Sequence, residues 1–279
     1  MERSEIEANV RAVFDTVAAG YDHPGSYWFD QTAQAIATAA GLGDGDEALD
    51  VATGTGKVAL ALAGSASGAR VVGADLSEGM LGEARRKADA VGLRNTEFVQ
   101  SSFEGLAFGE RFDVVTCSFG IFFVPEMVDT LKRFAAQAKS GGRVILSTFA
   151  VGSFSPLSDA FVRLYEEFGF EVGPRPWLRV GSPELLGGLY DEAGLPGAEV
   201  VEHDFGFELR DENVWWDIVF NAGYRGMLEQ LSEEQAPRFK ERHLSEVRDL
   251  LAQDGGSRLD VRVLIGQAAK TGSGQSLSS

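Results

Sequence analysis

Apolar and polar positions change their period along this chain, and the changes divide it into three regions. Near the start, Ile6, Val10, Val13, Phe14 and Val17 fall on one face at helical spacing. Ser4 followed by Glu7 forms a capping box ahead of them, so the spacing predicts a first helix. A loop rich in glycine, proline and aromatics runs from Gly20 to Asp30, and a second helix from about Phe29 to Ala40 stops at Gly41.

From about residue 46 to 150 strand and helix patterns alternate. Glu47 to Ala52, Arg70 to Ala74, Thr96 to Gln100, Phe112 to Ser118 and Arg143 to Phe149 read as strands. Helices are predicted to start at Val58, to run from Glu78 to Ala90 under a Ser77 cap, and to run from Val128 to Lys139. The run Phe112 to Ser118 is apolar on both faces, as expected of a strand covered on both sides. Such alternation implies a doubly wound α/β fold: a mostly parallel sheet with right-handed crossovers.

The remainder, 151–270, is less regular. Ser155-Pro156 and Ser182-Pro183 each look like an N-cap followed by proline at the first helical position. Val200 to Leu209 and Leu259 to Gly266 read as strands, with helices from Asp211 to about Gln230 and from Ser232 to about Leu251 between them. The expected organisation is therefore an N-terminal helical segment (1–45), a Rossmann-like core (46–150), further sheet strands with a helical cap over the substrate site (151–270) and a small, polar, disordered tail (271–279).

Composition narrows the function. The 279 residues carry a formal net charge of -17, which disfavours phosphate backbones and anionic membrane surfaces, so neither nucleic acid nor membrane is expected as a partner. A single cysteine, Cys117, excludes an internal disulfide and fits a cytoplasmic setting, as does the absence of an apolar leader or a 20-residue apolar run. No metal is called for. All four tryptophans, all five tyrosines and all three histidines fall outside residues 46–150. Aromatics with a polar handle thus flank the core, where a small-molecule pocket needs them.

The informative stretch is Asp50-Val51-Ala52-Thr53-Gly54-Thr55-Gly56-Lys57, between a predicted strand and a predicted helix. Glycines there permit a sharp turn and close ligand approach, and the helix start offers unpaired N–H groups. Asp75 ends the next strand, placed to accept the ribose hydroxyls of an adenosine-containing ligand. The P-loop alternative fails because Val51 and Val58 stand where its glycine and hydroxyl residue belong. Gly54-x-Gly56-x-x-Ala59 formally satisfies the dinucleotide fingerprint, so an NAD(P)-dependent oxidoreductase stays open at this point. None of Tyr21, Tyr27, Tyr165, Tyr190 and Tyr224 has the lysine four residues on that such an enzyme would use.

Residues from about Val13 to Phe149 resemble the ubiquinone/menaquinone C-methyltransferase-like group of class I methyltransferases. The resemblance is carried by Phe14-Asp15-Thr16-Val17-Ala18-Ala19-Gly20-Tyr21-Asp22 before the sheet, by Asp50 to Gly56, and by Gly73-Ala74-Asp75-Leu76-Ser77-Glu78-Gly79-Met80-Leu81. Phe112-Asp113-Val114-Val115 and Lys139-Ser140-Gly141-Gly142-Arg143-Val144 complete it. It implies a Rossmann-like sheet ending in an antiparallel strand, and S-adenosylmethionine as cofactor. Two positions depart from the pattern: Ala52 stands where the group usually has glycine, and Ser101-Ser102-Phe103 where it often has an acidic residue.

Carried over by motif, Tyr21, Asp50, Ala52, Gly54, Gly56, Asp75, Leu76, Ser102, Phe103, Ser118 and Phe119 are the expected cofactor residues. Methyl transfer is an in-line displacement that rests mainly on alignment, so a general base need not exist. His23 and then His203 are the candidates if one does, while His243 looks solvated among charged neighbours. The helix from Asp211 is apolar nearly all round. Trp216, Phe220 and Tyr224, with Tyr27, Trp28 and Trp177, are expected to line an apolar, aromatic substrate pocket. The expected function is methylation of a small, aromatic or apolar molecule of secondary metabolism. A non-methylating S-adenosylmethionine-binding cyclase, a non-catalytic binding module and a homodimer all stay open.

Overall fold

The structure is a computed structural model and describes residues 3–173, 175–209, 211–221, 224–253 and 258–271; side chains of residues 3–6, 9, 24 and 221, the capping-box Ser4 among them, and most of the expected tail lie outside that description. The chain begins with α1 (Arg3–Val17) and α2 (Trp28–Ala40), the latter ended by Gly41 in the left-handed region. The alternating part follows: β1 (Glu47–Val51), α3 (Lys57–Ser65), β2 (Arg70–Asp75), α4 (Glu78–Ala90), β3 (Thr96–Gln100), β4 (Phe112–Ser118), α5 (Met127–Gln137) and β5 (Ala138–Phe149). Ser77 caps α4 by accepting from the Met80 N–H at 3.1 Å. Beyond it lie α6 (Leu157–Glu167), α7 (Pro183–Glu192), β6 (Glu199–Asp204), β7 (Phe207–Glu208), α8 (Glu212–Asn221), α9 (Arg225–Leu228), α10 (Gln235–Leu251), β8 (Arg258–Leu259) and β9 (Arg262–Ala269).

Seven strands form one sheet in the order β3-β2-β1-β4-β5-β9-β6. β9 is antiparallel to both β5 and β6, so the last strand of the chain lies inside the sheet and closes it. The Tyr190 hydroxyl on α7 holds that junction, donating to the Gly266 carbonyl at 2.7 Å and accepting from the Leu146 N–H at 3.0 Å. Strand side chains alternate faces, and both faces are buried. Val114 and Ile145 join the core under α2, α3 and the cap helices; Val115, Val144 and Leu146 join the core under α5 and α7. The first of these cores contains Trp28, Leu62, Ile145 and Trp215 together, so residues of all three sequence regions share it. Among the described residues no helix is long and apolar enough to cross a membrane.

The third region differs from its sequence pattern in several places. The run from Val200 to Leu209 is two strands, broken at Phe205-Gly206, and the run from Leu259 to Gly266 breaks at Asp260-Val261. At the breaks Phe205 N still donates to Val261 O at 2.8 Å, in register with the β6–β9 pairing, while the Asp260 carbonyl accepts from Phe154 N at 2.7 Å. The short pieces β7 and β8 then pair antiparallel. The helix expected from Asp211 to Gln230 is likewise two, α8 and α9. Finally, His243 is not solvated. Phe239, His243 and Val247 are spaced four apart and each is 0% exposed, so they form the inner stripe of α10 while its charged residues face out.

Candidate functional site

The C-terminal edge of the parallel strands carries the chemistry, as open α/β sheets lead one to expect. After β1 the chain turns through Ala52 and Gly54, both at positive φ, and Gly56 at φ 84° opens α3. A side chain at Gly54 would meet nothing within 4 Å, so open space faces the turn there; at Gly56 a Cβ would lie 2.9 Å from the Ala84 Cβ, so only glycine lets α4 pack this close. Two carboxylates shape the turn. Asp75, at the end of β2, accepts from the Gly54 N–H at 2.7 Å and the Ser77 N–H at 2.9 Å. Burial raises its pKa against those bonds. Asp50 is buried and accepts from the Thr53 hydroxyl at 2.6 Å and the Thr116 hydroxyl at 2.7 Å, tying β1 to β4. Burial, opposed by these hydroxyls, pushes its pKa up to about 6.

The N-terminal segment lies over this turn and is fastened by its acidic residues. Asp15 accepts from the Ser77 hydroxyl and from the Gly79 N–H at 3.1 Å. Asp22 meets the Lys87 ammonium at 2.6 Å, the Thr55 hydroxyl at 2.9 Å and the Lys57 ammonium at 3.4 Å. Burial works against the ionised Asp22, but the two lysines and the hydroxyl prevail and hold its carboxyl below the usual range. Between these fastenings Tyr21 stacks on Phe29, with Phe14 edge-on behind it. Burial, with help from the negative Asp22 and Asp75, pushes the Tyr21 hydroxyl up to about 12.

Beside the turn, five rings close a circuit. Trp28 meets Phe29 (centroids 5.5 Å), Phe29 meets Phe119 (5.1 Å), and Phe119 stacks on Phe149 (4.5 Å). Phe149 meets Phe154 (5.1 Å), and Phe154 returns to Trp28 (5.3 Å). Phe119 and Phe149 directly follow or end the adjacent strands β4 and β5, beside a Ser118–Ser147 hydroxyl pair at 2.7 Å. Backbone strain concentrates here. Among the described residues the non-glycine residues at positive φ are Ala52, Phe119 and Phe154. For a phenylalanine that conformation costs of order 1–3 kcal/mol and is kept where function requires it.

The structure thus brings Tyr21, Asp50, Ala52, Gly54, Gly56, Asp75, Leu76, Ser118 and Phe119 to one edge. Ser102 and Phe103 follow β3 at the same edge, but the Ser102 hydroxyl accepts from the Gly105 N–H and the Phe103 ring packs edge-on against Phe134 in the second core. The expected substrate residues are not gathered in one pocket. Trp28 lies in the ring circuit, while Tyr27 packs on Phe207. Trp177 borders the opposite core. Trp216 lies under the Lys240 ammonium and Phe220 is 46% exposed; Tyr224 packs on Phe161 inside the cap. Phe29, Phe149, Phe154 and Ser147 were not anticipated. The available signal was positional: Phe149 ends the strand beside the one that Phe119 follows.

Neither histidine candidate offers a free base. His23 Nδ1 accepts from the Gly25 N–H at 3.0 Å, which places the proton of the neutral ring on Nε2, 4.0 Å from Asp217. His203 stacks on Phe205 on β6, and its register partner Val263 stands between it and Phe149. His243 serves the cap, where its Nε2 accepts from the Trp215 indole at 2.8 Å.

The model of the ubiE/COQ5 methyltransferase family matches residues 2–175. The demethylmenaquinone methyltransferase of Mycobacterium sp. (strain JLS) is 34% identical over 215 residues, covering 70% of this chain and 86% of that protein. Aklanonic acid methyltransferase DauC of Streptomyces sp. (strain C5) is 30% identical over 190 residues, covering 67% and 84%. The crystal structure of the cyclase SpnF superposes with a TM-score of 0.58 at 15% identity, covering 95% of this chain and 97% of that one, which is a likeness of fold.

Proposed function

The chain belongs to the ubiE/COQ5 methyltransferase family and is an S-adenosylmethionine-dependent methyltransferase, and on that premise we propose that it methylates a flat, oxygen-bearing aromatic molecule of the quinol or polyketide type. The observation that carries this reading is the five-ring circuit beside the glycine turn, with two of its phenylalanines held in strained backbone. The relatives named for demethylmenaquinone and aklanonic acid act on molecules whose names place them in that range.

The residues at the turn suit the cofactor. Asp75 keeps a lone pair on each oxygen after accepting from Gly54 and Ser77, enough for two ribose hydroxyls. Gly54 faces open space, and Gly56 opens a helix whose N-terminal N–H groups favour a carboxylate. Asp50 and Asp75, whose hydrogen bonds come from hydroxyls and amides, make the turn acidic, and aromatic faces attract cations. When bound, S-adenosylmethionine supplies a methyl group already activated on a sulfonium. The chain's own part is alignment and dryness: Tyr21 and its acidic fastenings close one side, and Phe29, Phe119 and Phe149 wall the other, which keeps water out. The Nδ1 of His23, the nitrogen that would accept a proton in the neutral ring, already accepts from the Gly25 N–H, so no base is assigned.

The test is to incubate the full chain and S-adenosylmethionine with prenylated naphthoquinols and hydroxylated anthraquinone polyketides, reading product mass. A gain of one methylene is expected in at least one class. Retained cofactor binding with methylation only of aliphatic amines or phosphobases would overturn the reading.

A further inference from the structure

The two fully buried tryptophans are not treated alike. Trp215 donates its indole N–H to His243. Trp28 is 1% exposed, yet its indole nitrogen has no partner. A buried indole N–H nearly always finds an acceptor, because leaving it unpaired costs its full desolvation. Its ring packs on Phe29 and Phe154 within the first hydrophobic core, and neither of those rings offers a conventional acceptor. The unpaired donor belongs to the ring circuit that contains both strained phenylalanines, Phe119 and Phe154. Strain and an unsatisfied donor meet in one place, and both are features that a folded chain retains for a ligand.

We infer that the Trp28 N–H is the donor for an oxygen of the methyl acceptor, a reading that rests on the proposed aromatic substrate. It makes Trp28 a specificity-determining residue. A phenol, quinol or ketone oxygen satisfies the N–H. An arylamine nitrogen, its lone pair delocalised into the ring, accepts poorly, and a bare ring leaves the N–H unpaired. The acceptor class is therefore an aromatic bearing oxygen at the ring, and arylamines of the same shape are rejected.

The experiment is calorimetric titration of the full chain, saturated with S-adenosylhomocysteine, with 1-naphthol and 1-naphthylamine. It is run on the native protein, on Trp28→Phe, and on protein carrying a benzothiophene in place of the Trp28 indole, which keeps the ring's shape and removes the N–H. The native protein is expected to prefer naphthol by roughly tenfold, the value of one hydrogen bond, and both variants to lose that preference while binding S-adenosylhomocysteine as before. The benzothiophene protein should melt no lower than the native one, because the N–H has no partner in the free chain. An equal preference with and without the N–H, or no naphthol binding by the native protein, overturns the inference. The quinol and polyketide assay on the same preparation keeps the two readings apart. Naphthol held through Trp28 without any methylated product defeats the proposed function alone. Methylation with an unchanged preference defeats this inference alone.

Discussion

At the glycine turn, polar groups are partnered by the chain itself: Asp50 by two hydroxyls, Asp75 by two amides, Asp22 by two lysines and a hydroxyl. A few residues away, in the aromatic half, Trp28 Nε1 has no partner, and deeper in the cap His243 Nδ1 and the Tyr165 hydroxyl have none either. The first half is preorganised for a ligand it shares with its whole family. The second leaves donors open and backbone strained, and the proposed function assigns acceptor choice to it. Shared cofactor chemistry needs few, fixed contacts, whereas acceptor choice is made by walls and by what those walls leave unsatisfied.

The largest expected effect removes the first half. Asp75→Ala deletes an anchor that is itself held by two amides, and S-adenosylmethionine affinity should fall at least a hundredfold by calorimetry, with the far-ultraviolet dichroism of the fold retained. A loss below threefold would mean that Asp75 merely shapes the turn.

Acid should separate the halves. Burial alone drives His243 down from 6.5 to about 4. The unfolded chain therefore binds a proton that the folded cap refuses. Cap stability is fully present above pH 6.5 and declines toward pH 4, by roughly 3 kcal/mol in all. Asp50 has the opposite sign. Burial lifts it from 3.8 to about 6 against the Thr53 and Thr116 hydroxyls, so the folded strand core gains stability as pH falls from 6 toward 3.8. Global unfolding would mix the two. Amide hydrogen exchange at pH 7 and pH 5, corrected for the intrinsic rate at each pH, resolves them, with protection factors lower at pH 5 in α8 and α10 and higher in β1 and β4. Equal changes in both would break the contrast.

Two smaller effects sharpen it. Phe149→Ala removes one ring of the circuit and should raise the KM for an aromatic acceptor about tenfold, while S-adenosylmethionine affinity stays within twofold. Asp22→Ala loosens the N-terminal fastening. It should weaken cofactor binding only a few-fold, because Asp22 is exposed, and should lessen the salt dependence of that binding. An unchanged salt dependence would remove Asp22 from the account.

The alternating core was legible because its inner strands are apolar on both faces and each turn has its own residue chemistry; Ser77 and Gly56 mark helix starts in the sequence and in space. The cap was less so. Helical spacing of Phe239, His243 and Val247 is readable in the sequence, but the charged residues between them dominate the local composition and mask the inner stripe. The splits at Gly206 and Asp260 interrupt one antiparallel register, with the Asp260 carbonyl taken by the N–H of Phe154 from another part of the chain, which no local pattern announces. The turn residues of the candidate site were visible because glycine and aspartate have strong positional meaning. The ring circuit was not, because it draws single phenylalanines from 29, 119, 149 and 154, and a lone phenylalanine is ordinarily core.

The most direct measurement is a crystal structure of the full chain with S-adenosylhomocysteine and 1-naphthol bound. The account predicts the ribose on Asp75 and the naphthol ring among Phe29, Phe119 and Phe149, facing the sulfur. Naphthol seated elsewhere, for instance against Trp216 and Phe220 on the outer face of α8, would contradict it.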